Sequence, residues 1–201
     1  MGQPQAALQH YEECHEVLTK LAAADERDAQ AQRDLSISHV NLGNVLLQMG
    51  QPQAAFEHYE ADLKISQQLA AADERDAQAQ RDLSISHVNL GNVLLQMGQP
   101  QAAFEHYEAD LKISQQLAAA DERDAQAQRD LSISHVNLGD VLLQMGQPQA
   151  ALEHYEEYFK ISQTLAAADE RDASGPVPRS VDLTQQARGC AAANGTAAGG
   201  V

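Results

Sequence analysis

Apolar residues recur at helical spacing through most of the chain. In residues 76–96 one side of a helix is formed, at steps of four, three and four residues, by Leu83, His87, Leu90 and Leu94. A second segment carries its own stripe, made of Ala103, Tyr107, Leu111 and Leu117. The pattern predicts two helices of roughly 20 residues each, and the short connection between them makes them antiparallel neighbours.

Capping residues mark the ends of these two helices. Asp76 stands where a side-chain oxygen can accept a hydrogen bond from the first unpaired N–H groups. Gly98 follows the first helix, at a position that favours a left-handed backbone, and Pro100 falls in the first turn of the second helix. The polar segment 121–124 then separates this helix pair from the next one.

The same unit repeats along the chain with a period of 48 residues, marked by Met1, Met49, Met97 and Met145. Residues 49–96 and 97–144 differ at one position only, where Asn92 is replaced by Asp140. The repeat predicts an all-α fold, an α-solenoid of seven helices over residues 1–172. Its parts are an unpaired second helix at 4–24 and three hairpins at 28–72, 76–120 and 124–168. Residues 173–201, rich in Gly, Ala, Ser and Pro, are predicted to form a flexible tail.

The phase of the repeat bears on where the chain starts. Met1 occupies the repeat position that Met49 holds in mid-chain, and the helix at 4–24 lacks a first-helix partner. A terminal repeat normally carries a polar outer face, whereas this helix keeps Val17, Leu18 and Leu21. We therefore expect a fragment of a longer array, or a gene product begun at an internal methionine.

The unit resembles a tetratricopeptide repeat. That pattern has a bulky residue, then Leu-Gly, and later Gly, Ala and an aromatic residue. Within residues 87–111, the residues in those places are Leu90, Gly91, Leu94, Gly98, Ala103, Tyr107 and Leu111. The match recurs at 39–63 and 135–159. The resemblance implies a right-handed superhelix of antiparallel hairpins. The unit departs from the family in its period of 48 rather than about 34 residues, and at His87, Pro100 and Asp110.

Composition and charge exclude several classes of partner. The net charge of −16 argues against nucleic acid and against anionic membrane surfaces. No apolar run approaches the roughly 18 to 20 residues of a membrane span, and no segment resembles a signal peptide. Cys14 and Cys190 belong to no repeated motif, so they predict neither a disulfide framework nor a metal site. We expect a soluble, cytoplasmic protein.

No residue pattern predicts catalysis, and we expect neither an enzyme nor a cofactor. Glycine-rich phosphate loops, zinc-protease motifs and nucleophile elbows are absent from the sequence. Two histidine ladders recur with the repeat: His39, His87 and His135, and His58, His106 and His154. Rungs one repeat apart should lie about 10 Å apart, too far to share a metal ion with bonds of about 2 Å. We expect packed or surface histidines and no metal site.

A second stripe on the first helices is the strongest functional signal. In the tetratricopeptide repeat family, which the unit resembles, these positions line the concave groove that holds a peptide. The predicted groove residues are Asn41, Asn44, Val88, Asn89, Asn92, Leu95, Asn137 and Asp140. Asparagine amides can pair with a peptide backbone, while Val88 and Leu95 would receive side chains. An equally weighted alternative is that the asparagines next to glycine simply tolerate the helix and that the apolar residues pack between successive first helices. Lysine and arginine are missing from these positions, so a basic or neutral peptide is expected.

Three functions fit this sequence. The first is a non-enzymatic protein-interaction scaffold that binds an extended peptide or a partner helix in its groove. The second is end-to-end self-assembly of the near-identical repeats into homo-oligomers or filaments, with the unpaired helix 4–24 stacking on another copy. The third is the sensor arm of a larger signalling protein.

Overall fold

The chain is all-helical over the residues that the structure describes. The computed structural model describes residues 3–173, without the side chains of Gln3 and residues 169–173. Within that range it contains no strand and seven helices: α1 (Gln3–Ala24), α2 (Ala29–Gln48), α3 (Pro52–Ala72), α4 (Ala77–Gln96), α5 (Pro100–Ala120), α6 (Ala125–Gln144) and α7 (Pro148–Ala173). The predicted all-α class and helix number are confirmed. The predicted tail, beyond Ala173, lies outside the described residues.

Two compact units divide the chain. The first is Met1–Ser162, and it includes α7 as far as residue 162. The second is Gln163–Val201, of which the structure describes the end of α7, residues 163–173. Helix α7 runs past its predicted end at residue 168. Its alanine, glutamate and arginine residues favour a helix, and the sequence that begins a new first helix in the other units does not follow here. The predicted division at residue 172 stays a prediction.

Helix ends are fixed by the caps that the sequence predicts. Asp76 Oδ1 accepts hydrogen bonds from the backbone N–H groups of Gln78 (2.9 Å) and Ala79 (3.1 Å) at the start of α4. At its end Gly98 has a φ of 72°, and the N–H of Gln99 donates to the carbonyl of Leu94 at 2.9 Å. This is a Schellman motif, which satisfies carbonyl groups that would otherwise lack partners. The same caps recur one period away in each direction.

Each hairpin closes around one glycine and one tyrosine. A Cβ atom placed on Gly91 would lie 2.5 Å from Cε1 of Tyr107, so only glycine allows this approach. The Tyr107 ring is 1% exposed, and Ala103 beside it is fully buried. The same contact joins Gly43 to Tyr59, and Gly139 to Tyr155. This packing brings α4 and α5 close enough to share one core.

Successive helices pack on one another through the first unit. Contacts join α1 to α2, α2 to α3, α3 to α4, α4 to α5 and α5 to α6. One core cluster combines α2, α3 and α4 through Leu46, Ala55, Tyr59, Leu90 and Val93. A second cluster repeats it in α4, α5 and α6 through Leu94, Ala103, Tyr107, Leu138 and Val141. A core that passes from each hairpin to the next is that of a solenoid.

Candidate functional site

The first helices α2, α4 and α6 share an exposed face that carries the same residues in each repeat. On it, Ile37, Ile85 and Ile133 are 53%, 50% and 54% exposed. Two turns further along each helix, the exposed positions are Asn44, Asn92 and Asp140. We call these six residues the first-helix face. Large aliphatic side chains half open to solvent at three equivalent positions form a regular row, unlike the scattered apolar residues of an ordinary surface.

Tyrosines from the second helices fix the polar row of this face. Tyr107 Oη donates a hydrogen bond to Asn92 Oδ1 at 2.8 Å, and Tyr59 does the same to Asn44. Tyr155 Oη donates to the carboxylate of Asp140 at 2.6 Å. Burial, aided by the nearby carboxylates of Asp140 and Asp110, raises the pKa of Tyr107 to about 12. The tyrosine is therefore a donor at any physiological pH, and the asparagine amide is held with its nitrogen directed away from that bond.

The other predicted groove residues are less accessible. Asn41, Asn89 and Asn137 are half-buried, as are Val88 and Leu95. The Nδ2 atoms of Asn89 and Asn137 are sealed from solvent and have no hydrogen-bond partner among the described residues. Leu95 packs against the second core cluster. The structure thus brings the predicted residues onto one side of the first helices, with Asn44, Asn92 and Asp140 outermost.

Ion pairs run between neighbouring first helices at one end of this face. Arg81 Nε donates to Asp130 Oδ2 at 3.0 Å, and its terminal nitrogen lies 3.6 Å from Asp124 Oδ2. Arg33 makes the same two contacts, to Asp82 at 2.9 Å and to Asp76 at 3.6 Å. Each of these arginines is thus opposed by two carboxylates, so the local charge stays negative.

Histidines pair within each hairpin, an arrangement that the sequence reasoning missed. The Nδ1 atoms are 3.0 Å apart in His39–His58, His87–His106 and His135–His154. One ring of a pair must donate and the other accept, so at least the accepting ring is neutral. Burial, reinforced by the charge that His106 would carry, lowers the pKa of His87 from 6.5 to about 4. The only sequence signal was the recurrence of both histidines 19 residues apart, since 106 minus 87 is 19.

A buried polar cluster under the first-helix face was also missed. Ser84 Oγ donates to Asp110 Oδ1, and Ser134 Oγ donates to Ser114 Oγ at 3.1 Å. Asp110 is only 2% exposed, and burial raises its pKa against the hydrogen bonds from neighbouring serines. The available signal was the departure of Asp110 from the small residue that the family pattern has there.

Two further observations concern metals and membranes. Among the described residues, no three or more His, Cys, Asp or Glu side chains come together so as to hold a metal ion. Within the same part of the chain, no helix combines the length and the apolar character needed to cross a bilayer.

Comparison with known proteins agrees with this geometry. A sequence profile described as Tetratricopeptide repeat matches residues 82–164, and a second profile of the same description matches residues 40–73. The chain belongs to the tetratricopeptide repeat family. Both matches cover first and second helices of the repeats. Among curated protein sequences none matches this chain.

A solved tetratricopeptide repeat domain shares the fold, and the chain also aligns with other solved structures. The TPR domain of Arabidopsis FLU has 18% sequence identity and a TM-score of 0.52, covering 66% of this chain and 98% of that domain. MamA, at 15% identity, covers 83% of this chain and 98% of its own, with a TM-score of 0.34. BtubC from P. vanneervenii, at 16% identity, covers 90% of this chain and 96% of its own, also with a TM-score of 0.34. The likeness to the FLU domain shows the fold alone.

Proposed function

We propose that this tetratricopeptide repeat protein is a non-enzymatic interaction scaffold whose first-helix face holds an extended peptide. One observation carries the proposal: Ile37, Ile85 and Ile133 are half-exposed at equivalent positions on three successive first helices. Exposed aliphatic side chains in a row, bordered by polar groups, are typical of surfaces that bind a partner. In the family the corresponding face lines the peptide groove.

The spacing of the row suits an extended chain. Helices pack with their axes about 10 Å apart, and a polyproline-type peptide returns to the same side every three residues, about 9.3 Å along its axis. A peptide crossing the face would therefore set every third side chain on an isoleucine. The amides of Asn44 and Asn92 lie two turns further along the same helices, where they can pair with polar groups on that side of the peptide, and Asp140 favours a donor or a positive charge.

The expected partner is basic or neutral. The chain carries a net charge of −16, and Arg33 and Arg81 are each opposed by two aspartates. A strongly acidic peptide would meet repulsion from both sources, whereas a basic one would be attracted at long range.

Peptide display tests the proposal. A random library of roughly twelve-residue peptides, about 37 Å in polyproline form, is selected on the full chain, and the affinity of a recovered peptide is measured by fluorescence anisotropy. The double variant Ile85→Ser, Asn92→Ala should weaken binding at least tenfold. The matched control is Lys64→Ala, which changes an exposed residue on α3 and should bind like the wild type. Recovery of no peptide, or equal affinity for the double variant, would contradict the proposal.

Self-association through the terminal helices is a second candidate. On α1, Val17 and Leu21 are 56% and 55% exposed, whereas Ile65, the α3 equivalent of Val17, is 9% exposed. On α7, Leu152 and Phe159 are 50% and 60% exposed. Both α1 and α7 are second helices of the repeat. A contact between copies through them would therefore pack a second helix on a second helix, and would not repeat an internal interface of the solenoid. That mismatch ranks self-association below peptide binding.

Sedimentation velocity over about a hundredfold range of concentration decides this candidate. Self-association would give a mass that rises in steps of one chain, and Phe159→Gln should abolish the rise. A constant monomer mass would exclude it.

A further inference from the structure

A small pocket opens between the first helices α2 and α4. Its volume is about 150 Å³, and α3 forms its floor. Most of its lining surface is apolar and includes Ile37 and Ile85 of the first-helix face. The polar residues that line it are Ser36, Asp62, Ser66 and Ser86, together with Arg33 and Asp82. A cavity of about 150 Å³ accommodates a molecule the size of benzene. The pocket is therefore large enough for a single side chain.

Asp62, one of the residues that line this pocket, has a buried carboxylate oxygen without a hydrogen-bond partner among the described residues. The residue is 2% exposed, and its Oδ1 accepts a hydrogen bond from Ser36 Oγ. Its Oδ2 is buried without a hydrogen-bond partner among the described residues. A buried carboxylate oxygen in that state is costly, so a donor that reached it would recover a substantial part of the lost solvation. The pocket is thus suited to a group that donates hydrogen bonds.

The charges around the pocket select a cation. Arg33 lies at the pocket, but Asp82 (2.9 Å) and Asp76 (3.6 Å) already oppose its charge. Adding Asp62 leaves an excess of acidic groups, which disfavours an anion. A metal ion is disfavoured as well, because the described residues assemble no group of three or more acidic, histidine or cysteine ligands. A monovalent organic ammonium ion fits both conditions.

We propose that the pocket binds the ammonium group of a lysine side chain, with the methylene stem of that lysine between Ile37 and Ile85. Lysine buries its aliphatic stem along apolar surface and carries three hydrogen-bond donors at its end. This inference rests on the proposed function, since the lysine belongs to the peptide on the first-helix face. It adds the residue type that the face recognises.

The next repeat carries the same arrangement. Asp110 Oδ1 accepts from Ser84, Asp110 Oδ2 is buried without a partner in the described part of the chain, and Ser134 donates to Ser114 at 3.1 Å. A second lysine site is therefore expected one repeat further along the chain, between Ile85 and Ile133. Two lysines three residues apart in the peptide would fill both sites.

Butylammonium chloride, a mimic of the lysine side chain, tests the pocket without a peptide. The full chain is labelled with ¹³C in its isoleucine methyl groups and titrated, with butanol and sodium chloride as separate controls. The Ile37 and Ile133 signals should shift saturably with butylammonium and at least tenfold less with either control. Equal shifts with butanol would show that the pocket recognises only apolar groups. Equal shifts with sodium chloride would show a general effect of salt. Either result would overturn the proposal.

Asp62→Asn then separates the two sites. It should weaken the Ile37 response at least tenfold and leave the Ile133 response unchanged, so the second site reports that the chain is still folded. Asp110→Asn should do the reverse, and it replaces the first variant if that one unfolds. Glu60→Gln removes an exposed charge from the same helix and should change neither response. An unaltered Ile37 response in Asp62→Asn would refute the assignment.

Replacing lysine by norleucine in a selected peptide distinguishes this inference from the proposed function. The norleucine peptide should bind at least tenfold more weakly. If it binds equally while Ile85→Ser, Asn92→Ala still weakens binding, the lysine pocket is wrong and the peptide face stands. If butylammonium responds as expected but no peptide binds the face, the pocket stands and the proposed function fails.

Discussion

Acidification from about pH 7.5 to about pH 5 tests the histidine pairs directly. Each pair needs at least one neutral ring, because two protonated rings would direct donors at each other across 3.0 Å. Burial is the main cause that lowers the pKa of both His39 and His87 to about 4, against 6.5 for an ordinary histidine. The unfolded chain therefore binds more protons than the folded one between those values. Stability should fall as the pH drops through this window, and should stay level between about pH 7.5 and about pH 9.

The size of the effect follows from the two shifts. The pKa is about 4 in the folded chain and 6.5 in the unfolded chain. Each ring should therefore lower the free energy of unfolding by about 2 kcal/mol at about pH 5. Both rings keep some contact with solvent, which reduces the shift that is realised, so we expect about half that value for each. The free energy of unfolding should then decrease by about 2 kcal/mol for the two rings together.

Urea unfolding followed by circular dichroism measures this difference. The variant His87→Gln, His106→Gln removes one pair and should lower the pH dependence by about 1 kcal/mol. Comparing this variant with the wild-type chain cancels the contribution of Asp62 and Asp110, which is the same in both. Burial is the main cause that raises the pKa of these two carboxyl groups, so they favour the folded state in acid. The titration of the His87 ring by NMR should have its midpoint near pH 4. A midpoint above about 6, or an unchanged pH dependence in the variant, would refute the reasoning.

Three stability predictions concern the hairpin of α4 and α5 and its link to α6, each measured by urea unfolding at neutral pH. Gly91→Ala should cost about 2 kcal/mol, because its methyl group would overlap the buried ring of Tyr107; a cost below about 0.5 kcal/mol would contradict the close approach. Tyr107→Phe should cost about 1 kcal/mol through the lost bond to Asn92, and an equal cost in the same change made at Tyr11 would contradict that reason. Arg81→Met should cost about 1 kcal/mol at low salt and less at high salt, because it removes the ion pair with Asp130; a cost independent of salt would point to packing instead.

Local sequence signals were enough to place the helices. Asp76, Gly98 and Pro100 cap or begin helices by interactions within a few residues, so the sequence alone indicates where these helices begin and end. Gly91 and Tyr107, which pack closely on each other, both stand at positions that the family pattern specifies. Signals that act between residues close together in the sequence do not depend on how the helices are rotated against each other.

Features that depend on helix rotation and register could not be predicted in the same way. Helical periodicity placed Asn89 and Asn92 on one stripe, but packing decides that Asn89 Nδ2 is sealed while Asn92 is exposed. The histidine pairs and the contact of Ser84 with Asp110 require one register between α4 and α5. That register is a tertiary property, to which the fit of Tyr107 against Gly91 contributes.

Polar pairs help to explain how identical helices find one arrangement: a His–His pair lies in each of the three hairpins and a Ser–Asp pair in the first two. Helices α2 and α4 have the same sequence, and so do α3 and α5. Apolar contacts alone would tolerate sliding of one helix along another, whereas a shift would separate the His–His and Ser–Asp pairs and leave buried groups unsatisfied. These pairs fix the register within a hairpin, but they cannot distinguish one copy of the hairpin from the next. The three-residue connections 49–51 and 97–99 make that distinction, because they allow a first helix to reach only the second helix that follows it.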